Sequence, residues 1–336
     1  MSFCFNFDLQ TESANGFQTE PKDGKEDAVS QHRVEKKQAV FVKEAKEHPL
    51  PSDPQLLLTD VVCETVTIGA LPPLHFLNET VFEKTVSERE DEEKILTRSA
   101  EQRSDLISGV YEGGLKVWEC TYDLLEVMER DGETFGGKTV LDLGCGAGLL
   151  GILSLKRGAK RVDFQDYNST VIEQLTMPNV ILNCHDDDDD DDEDSEDESG
   201  AKGRGSPSKT EPETKRKALD PSQHPLLSKC HFFSGDWETF LPLVLEKDPS
   251  PQYNIIFTSE TIYNTDYYPA LHMILQKLLA SEGVIYLATK SHYFGVGGGL
   301  HLFKVFVEEK GVFSVDHLWD GEEGLQRHVV VLRFKK

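Results

Sequence analysis

The sequence is poor in cysteine and has no closely spaced cysteine pair. Its six cysteines are scattered over 336 residues without a single CxxC. A disulfide framework or a zinc ribbon needs such pairs, whereas isolated cysteines are typical of proteins from reducing compartments. We therefore expect neither disulfides nor a metal site.

Long apolar runs are also missing. No run approaches the roughly 20 apolar residues that span a bilayer, and no apolar signal-peptide segment follows Met1. The hydrophobic fraction of 38% lies below the roughly 45–50% of globular proteins, a figure that includes glycine. These features predict a soluble intracellular protein with no membrane contact, part of which does not pack into a core.

A basic footprint is absent as well. The chain has 35 Lys and Arg against 60 Asp and Glu, which gives a net charge of −25. Binding to a nucleic-acid backbone depends on clustered basic side chains that neutralise phosphates. We therefore expect no direct nucleic-acid substrate, and a basic protein as the partner of a monomeric chain.

Two stretches are predicted to lie outside the folded core. Residues 1–100 are polar, mixed in sign and without a sustained period, which predicts a largely disordered region. Its apolar islands, FCFNF at the start and PPLHFLNETVF at 72–82, are candidates for a docked strand or arm. The second stretch is an insert at 184–226 that contains DDDDDDDEDSEDE. It predicts a disordered loop, either a solvated spacer or an acidic arm that attracts a basic substrate.

Residues 101–336 are predicted to form one domain in which strands and helices alternate. An amphipathic helix begins near Gly114. Strands follow in KTVLDL, RVDFQD, KCHFFSG, YNIIFTS and GVIYLATK, and helices in LLGILSLKRG, STVIEQLTM (ending at Pro178), WETFLPLVLEK, YPALHMILQKLLAS and LHLFKVFVEEKG. The last two strands, VFSVDHLWD and RHVVVLRFK, are joined by a turn too short for a crossover, so they pair antiparallel or lie apart. This pattern predicts an α/β fold with a doubly wound, mostly parallel, seven-stranded Rossmann-like sheet and a C-terminal antiparallel strand.

The first of these strands ends in DLGCGAGLLG, where two glycine patterns overlap. Gly146, Gly148 and Gly151 match the G-x-G-x-x-G pattern of dinucleotide sites, but that pattern should directly follow the strand. Counted from Asp142, the same stretch is an acid followed by Gly144, Gly146 and Gly148. An acid at this edge of the sheet repels a pyrophosphate and favours a cationic ligand, such as S-adenosylmethionine with its sulfonium and ammonium groups.

Acidic or polar groups end the next three strands as well. Asp166 ends RVDFQD, where doubly wound proteins place a carboxylate on ribose hydroxyls. The third strand ends in SGDW, where Asp236 is predicted to accept from an adenine amino group and Trp237 to stack on its ring. The fourth ends in TSETIYN. A helix N-cap explains any one of these groups, but not all four together.

These motifs resemble those of the seven-strand S-adenosylmethionine-dependent methyltransferases. The acid-x-x-Tyr at Glu260–Tyr263 resembles the protein-methylating group among them. More narrowly, SDLISGVYEGGLKVWECTYDLL, SETIYNTDYYPALH and SHYFGVGGGLHLF resemble the histidine protein methyltransferase 1 family, over roughly residues 100–336. The acidic insert departs from the family pattern, and it lies on a connection.

The resemblance implies S-adenosylmethionine as the cofactor. It also implies methylation of the tele nitrogen of one histidine in a large-subunit ribosomal protein, in the nucleus, including the nucleolus, and in the cytoplasm. Matched position by position, the implied cofactor-binding residues are Val117, Trp118, Glu119, Cys120, Thr121, Asp142, Gly144, Gly146, Gln165, Asp166, Tyr167, Gly235, Asp236, Trp237 and Ser259. For Trp118, a plain core aromatic is the alternative interpretation.

The chemistry of the acceptor indicates what else the site needs. A lysine, with a pKa near 10.4, must lose a proton at a cost of roughly 4–5 kcal/mol at pH 7, whereas a histidine near 6.5 is already mostly neutral. A histidine-methylating site therefore needs an acceptor for the other ring nitrogen, which fixes the tautomer. We predict Glu260 for this role and Tyr263 as a wall or hydrogen-bonding group of the pocket. A protein-lysine methyltransferase on the same scaffold is the alternative.

A glycine-rich stretch, FGVGGGLHLF, follows the fifth strand. It lacks the Lys-Ser/Thr of a P-loop. Its three consecutive glycines are explained either by a flexible flap beside the substrate entrance or by a structural turn. His292 and His301 flank it, and neither is predicted to be catalytic.

Overall fold

The computed structural model describes residues 42–59, 61–78, 93–95, 105–185, 224–321 and 326–336. The strands in these residues are β1 (Lys46–His48), β2 (Cys63–Val66), β3 (Leu74–Leu77), β4 (Thr139–Leu143), β5 (Arg161–Asp166), β6 (Cys230–Ser234), β7 (Tyr253–Ser259), β8 (Leu279–Lys290), β9 (Phe313–Asp320) and β10 (Arg327–Phe334). The helices are α1 (Glu119–Asp131), α2 (Leu149–Lys156), α3, α4 (Trp237–Lys247), α5 (Tyr268–Leu278) and α6 (Leu300–Lys310). Helix α3 runs from Ser169–Val171 through a π-helical segment, Ile172–Thr176, to Met177–His185.

The main sheet has the strand order β1-β6-β5-β4-β7-β8-β10-β9. Strands β4 to β8 are parallel to one another, and β10 is antiparallel to both β8 and β9. The predicted doubly wound, mostly parallel sheet with a C-terminal antiparallel strand is confirmed. The sheet has eight strands rather than the predicted seven, because β1 adds an antiparallel edge strand to β6.

Apolar side chains on both faces of the central strands explain the three-layer architecture. Val140 of β4 faces one core and its neighbour Leu141 faces the other, as the alternation of side chains along a strand requires. Helices α1, α2 and α3 cover the first face, and α4, α5 and α6 cover the second. Among the described residues, no helix combines the length and the apolar character needed to cross a membrane.

Part of the region predicted to be largely disordered is folded, because residues 42–59 and 61–78 contribute strands β1, β2 and β3. Within the predicted island at 72–82, β3 pairs with β2, and Leu74, Phe76 and Leu77 are buried in the core. The amides of His75 and Leu77 donate to side chains of α3. These strands are too short to be recognised by periodicity and are ordered by tertiary contacts. The island FCFNF and residues 186–223 of the predicted insert lie outside the described residues.

Three predicted helix bounds are also wrong. The predicted helix YPALHMILQKLLAS ends at Leu278, because β8 begins at Leu279. Helix α3 continues through Pro178 to His185 instead of ending at Pro178. The π-helical turn Ile172–Thr176 ends two residues before this proline, and its wider loop of backbone accommodates a ring that would otherwise clash with the preceding turn. Helix α1 begins at Glu119 rather than near Gly114, because Gly113 is left-handed (φ +81°) and the N-cap residue Trp118 has an extended backbone (φ −82°, ψ 154°).

The junction between β1 and β6 depends on Gly235. This glycine has φ +118°, and an added Cβ would overlap with the Cα of Ala45 beside β1. We expect Gly235→Ala to lower the free energy of unfolding by roughly 2–4 kcal/mol, because overpacking and a strained φ each cost about 1–3 kcal/mol. Gly297→Ala is the matched control, since its φ is +94° but no atom lies within 4 Å. Equal losses for the two variants in urea denaturation would contradict the assignment of β1 to this edge.

Candidate active site

The candidate site lies at the carboxyl ends of the parallel strands. The loop between β4 and α2 has three glycines in the left-handed region: Gly144 (φ 69°), Gly146 (φ 50°) and Gly148 (φ 76°). A Cβ on Gly144 would lie 2.6 Å from the Thr261 methyl group, and one on Gly146 would lie 3.0 Å from the Gly114 carbonyl oxygen. Conformation and contact both require glycine here. The loop therefore presents bare backbone at the edge where open α/β sheets bind ligands.

Two buried aspartates hold this loop through its own amide groups. Asp166 accepts from the N–H of Gly146 at 3.0 Å and from that of Asn168 at 3.1 Å. Asp142 accepts from the N–H of Gly151, in the first turn of α2, at 2.9 Å. In dinucleotide and P-loop sites, amides at this place donate to phosphate. Carboxylates occupy them in this protein, so the geometry favours the acid-led glycine pattern over the dinucleotide pattern.

Burial changes the acidity of both aspartates. It raises the pKa of Asp142 to about 7; the Gly151 amide lowers that pKa and the nearby Asp166 charge raises it. Burial also raises the pKa of Asp166 to about 6, against amide hydrogen bonds and the Lys43 charge that lower it. A nearby cation favours the ionised form of such carboxyl groups. The pair therefore fits the sulfonium and ammonium groups of S-adenosylmethionine and repels a pyrophosphate.

The ends of β5 and β6 are locked together by Gln165. Its amide nitrogen donates to the carbonyls of Asp166 and Gly235 at 2.9 and 3.0 Å, and its oxygen accepts from the Trp237 indole at 2.9 Å. The side chain is fully buried. Gln165 therefore positions Trp237 and the turn at Gly235 rather than pointing into open space.

Two neighbouring predicted residues also have structural partners. Asp236 is the N-cap of α4, because its carboxylate accepts from the N–H of Glu238 at 2.9 Å. The hydroxyl of Tyr167 donates to the carbonyl of Gly109 at 2.9 Å. The N-cap explanation thus applies to Asp236, whereas Asp166 contacts the glycine loop instead of capping a helix.

The segment before α1 forms a roof over the strand ends. The Glu112 carboxylate accepts from the hydroxyl of Tyr263 and, at 2.9 Å, from that of Tyr267. Burial raises the pKa of Glu112, and these hydrogen bonds lower it. The Trp118 indole donates to the Gly113 carbonyl at 3.0 Å. The roof is therefore tied to the loop that follows β7.

Aromatic rings form a wall on the side of β6, β7 and β8. The ring of Tyr267 is edge-on to Trp237 at 6.4 Å and to Tyr263 at 5.9 Å. Tyr263 in turn lies edge-on to Tyr293 at 6.2 Å. Burial, together with the Glu112 charge, raises the pKa of Tyr263 well above its usual value, so this hydroxyl stays protonated at neutral pH. The wall is rigid and apolar, with hydroxyl groups along its edge.

Glu260 lies at the centre of a buried polar cluster. Its φ of +59° is rare for a residue with a side chain, and the carboxylate is only 9% exposed. One carboxylate oxygen accepts from the Tyr293 hydroxyl at 2.6 Å, and the other lies 3.3 Å from the Lys290 ammonium. Lys290 is 2% exposed and also lies 3.1 Å from Glu119. Its Nζ is 5.3 Å from the centroid of the Trp118 ring, within the range of a cation–π contact.

The glycine-rich stretch after β8 packs as a structural turn. The N–H of Gly298 donates to the carbonyl of Tyr263 at 2.8 Å, and that of Tyr293 donates to Gly298 at 3.0 Å. A Cβ on Gly298 would overlap with the backbone of Ile262 and Tyr263. This turn therefore fastens Tyr293 to the loop that carries Glu260, which favours the structural interpretation over the flap.

Most of the predicted residues come together at this one edge. Thr121 donates to Ser259 at 3.1 Å, which joins α1 to the end of β7. Val117 is half-buried against the core, and the Cys120 side chain is fully buried within it. The sequence-based prediction missed Glu112, Tyr267, Lys290 and Tyr293. Only Lys290 left a local signal, since it is a charged residue at the end of the apolar strand GVIYLATK.

Comparisons with known proteins point to one family. The chain is 46% identical to the histidine protein methyltransferase 1 homolog of Bos taurus over 296 residues, which are 88% of this chain and 74% of that protein. It is 34% identical to the homolog of Dictyostelium discoideum over 247 residues, 73% of this chain and 64% of that protein. It is 25% identical to histidine protein methyltransferase 1 of Saccharomyces cerevisiae over 255 residues, 69% of this chain and 67% of that protein.

More distant matches overlap with part of the chain. Residues 119–194 match the model of the ribosomal protein L11 methyltransferase (PrmA) family. The crystal structure of a ribosomal protein L11 methylase from Lactobacillus delbrueckii subsp. bulgaricus aligns with 65% of this chain and 80% of that chain, at a TM-score of 0.35 and 16% identity. By its relatives' identity and coverage, the chain belongs to the histidine protein methyltransferase 1 family, and it is a methyltransferase for which the family implies S-adenosylmethionine as the methyl donor.

Proposed function

We propose that the chain transfers a methyl group from S-adenosylmethionine to the tele nitrogen of a histidine in a large-subunit ribosomal protein. The observation that carries the proposal is the Glu260 carboxylate, held between Tyr293 and Lys290 beside the aromatic wall. The names of the relatives support histidine as the acceptor. The partial match to the ribosomal protein L11 methyltransferase model supports a ribosomal protein as the substrate.

S-adenosylmethionine, when bound, supplies a methyl group on a positively charged sulfur. The residues that would hold it are the glycine loop with Asp142 and Asp166, together with Trp118 and Trp237. The carboxylates offset its positive charge, and the bare backbone admits it closely. An in-line methyl transfer depends mainly on proximity and orientation, so these contacts provide most of what the reaction needs.

The acceptor imidazole needs a second partner. A neutral imidazole has one nitrogen with a lone pair and one that carries a proton. A carboxylate that accepts this proton in a hydrogen bond leaves the tele nitrogen as the nucleophile. Glu260 is proposed for this role, since Lys290 and Tyr293 hold its side chain in one place. The Tyr263 hydroxyl, which stays protonated, acts as a hydrogen-bonding wall and not as a base.

The buried Lys290 also favours histidine over lysine as the acceptor. Its ammonium lies 3.3 Å from Glu260 and 3.1 Å from Glu119, so a positive charge already occupies this part of the site. Lys290 already compensates the charge of one of these two carboxylates, so less negative charge is left to stabilise the ammonium of a substrate lysine, whereas a neutral imidazole needs no such compensation. A lysine acceptor would in addition have to lose its proton.

The charge of the whole chain supports a basic substrate. The net charge of −25 attracts ribosomal proteins, which are basic, and the acidic insert extends this attraction if it acts as an arm. We also propose that the chain acts as a monomer, and that it does so in the nucleus, including the nucleolus, and in the cytoplasm.

The substrate proposal is tested with labelled S-adenosylmethionine and large-subunit ribosomal proteins that carry no prior methylation. We expect the label on one protein, and acid hydrolysis should release methylhistidine that co-migrates with the tele standard. Mass spectrometry of the labelled peptide then identifies the residue. Label on lysine, or on the pros nitrogen, would contradict the proposal.

The role of Glu260 is tested by Glu260→Gln, which preserves size but removes the charge. We expect turnover to fall roughly 10²–10⁴-fold, as for loss of a group that manages the acceptor's proton, while affinity for S-adenosylmethionine stays within about twofold. Glu238→Gln, on the exposed first turn of α4, is the matched control and should keep full turnover. Full turnover of Glu260→Gln in a purified assay would remove Glu260 from the mechanism.

The buried aspartates predict a pH-dependent affinity for the donor. A full pH unit below 6, most of both carboxyl groups is protonated and attracts a cation less. As pH rises through about 6 and 7 the two groups ionise, so affinity for S-adenosylmethionine should increase about tenfold between pH 5.5 and 7.5. Binding near pH 6.5 should release protons. Calorimetry in buffers of different ionisation enthalpy measures this release. An affinity that does not change with pH, with no proton release, would refute the electrostatic fit.

A further inference from the structure

A second cluster of ionisable side chains lies on the last two strands. His317 and Asp320 belong to β9, and His328 belongs to β10. The Nδ1 atom of His317 is 3.0 Å from one carboxylate oxygen of Asp320, and the Nδ1 atom of His328 is 2.5 Å from the same oxygen. One ligand atom from each residue lies within 4.8 Å of the other two. The three side chains therefore converge on a single point.

A β-bulge builds this cluster. Val329 pairs with Trp319, but the next residue, Val330, pairs with His317, so Leu318 is an extra residue in β9. Side chains alternate along a regular strand, which would send His317 and Asp320 to opposite faces. The extra residue turns His317 to the face of Asp320, and His328 lies directly opposite Asp320.

The donor set is characteristic of a borderline transition metal. Two imidazole nitrogens and one carboxylate oxygen suit zinc and its neighbours, whereas calcium and magnesium prefer six or more oxygens. Three protein ligands leave a fourth position for water or a further ligand. We propose that His317, Asp320 and His328 bind one divalent transition-metal ion, with zinc as the best match.

The neighbours of the two imidazoles have opposite effects on the affinity for a metal ion. The Nε2 atom of His328 is 2.5 Å from the Ser291 hydroxyl, which accepts the Nε2 proton once Nδ1 binds a metal. The Nε2 atom of His317 is 3.4 Å from the Lys304 ammonium. With Nδ1 on a metal, this Nε2 carries a proton and faces that ammonium. Ser291 therefore strengthens the site, and Lys304, which has to turn away, weakens it.

The position of the cluster gives a bound metal a structural effect. Ser291 directly follows Lys290, the last residue of β8, and its N–H donates to the carbonyl of Gln326 at 2.8 Å. A metal held by β9 and β10 and supported by Ser291 would fasten the last hairpin to the end of β8. We expect zinc to raise the thermal midpoint of the protein, because the three ligands converge in the folded state and separate on unfolding.

The test uses the full, untagged chain titrated with cobalt(II), which replaces zinc and has visible absorption. Excess magnesium is present throughout, since it occupies carboxylate sites such as the acidic run at 186–198 but competes poorly for imidazole. We expect one equivalent of cobalt with intense tetrahedral absorption. Affinity should fall at least about tenfold in His317→Gln, His328→Gln and Ser291→Ala, and should rise in Lys304→Gln.

His301→Gln is the matched control, because His301 is an exposed histidine on α6 outside the cluster, and it should bind cobalt as the parent protein does. Circular dichroism and thermal denaturation of each variant identify any that fail to fold. The increase in Lys304→Gln does not depend on removing a ligand, so it tests the site in a variant that keeps all three. Equal cobalt binding by the parent protein and the His317→Gln/His328→Gln double variant, or no spectral change at millimolar cobalt, would overturn the proposal.

Discussion

The hydrogen bond from the Gly146 amide to the Asp166 carboxylate is the interaction on which the site depends. It joins the loop after β4 to the end of β5, and the Asp142 carboxylate makes the matching bond to Gly151. Two desolvated acids in a chain of net charge −25 are costly unless a cation compensates them. Asp142 and Asp166 therefore have two effects: they fix the backbone of the loop, and they create a preference for a positively charged ligand.

The fold was largely predictable from the sequence because the central strands and helices are long and regular. The predicted bounds of β7 and α4 agree with the structure residue for residue. The errors occur where context overrides a local signal. Pro178 ordinarily ends a helix, but the π-helical turn before it lets α3 continue. Strand β1 has three residues and acquires its structure from the edge of β6, so no pattern within it could reveal it.

The site was predictable to the extent that its residues end strands. Asp142 and Asp166 follow apolar runs, and that position alone assigns them to the ligand-binding edge. Lys290 and Tyr293 gain their importance from Glu260, which lies in the loop after another strand, β7. Contacts of this kind depend on the order of the strands in the sheet, which a single sequence does not contain. The His317, Asp320 and His328 cluster was missed for a related reason, since an extra residue in β9 reverses the expected alternation.

The docking of β1 has a consequence for the behaviour of the whole molecule. Without β1, β6 would be the edge strand on this side of the sheet. Its unpaired backbone N–H and C=O groups could then pair with a strand of another molecule. An exposed edge strand promotes self-association, and native proteins cover such edges with short, charged or irregular segments. β1 is short, contains Lys46 and Glu47, and ends at the buried His48. β1 thus shields the edge of β6 against intermolecular sheet extension.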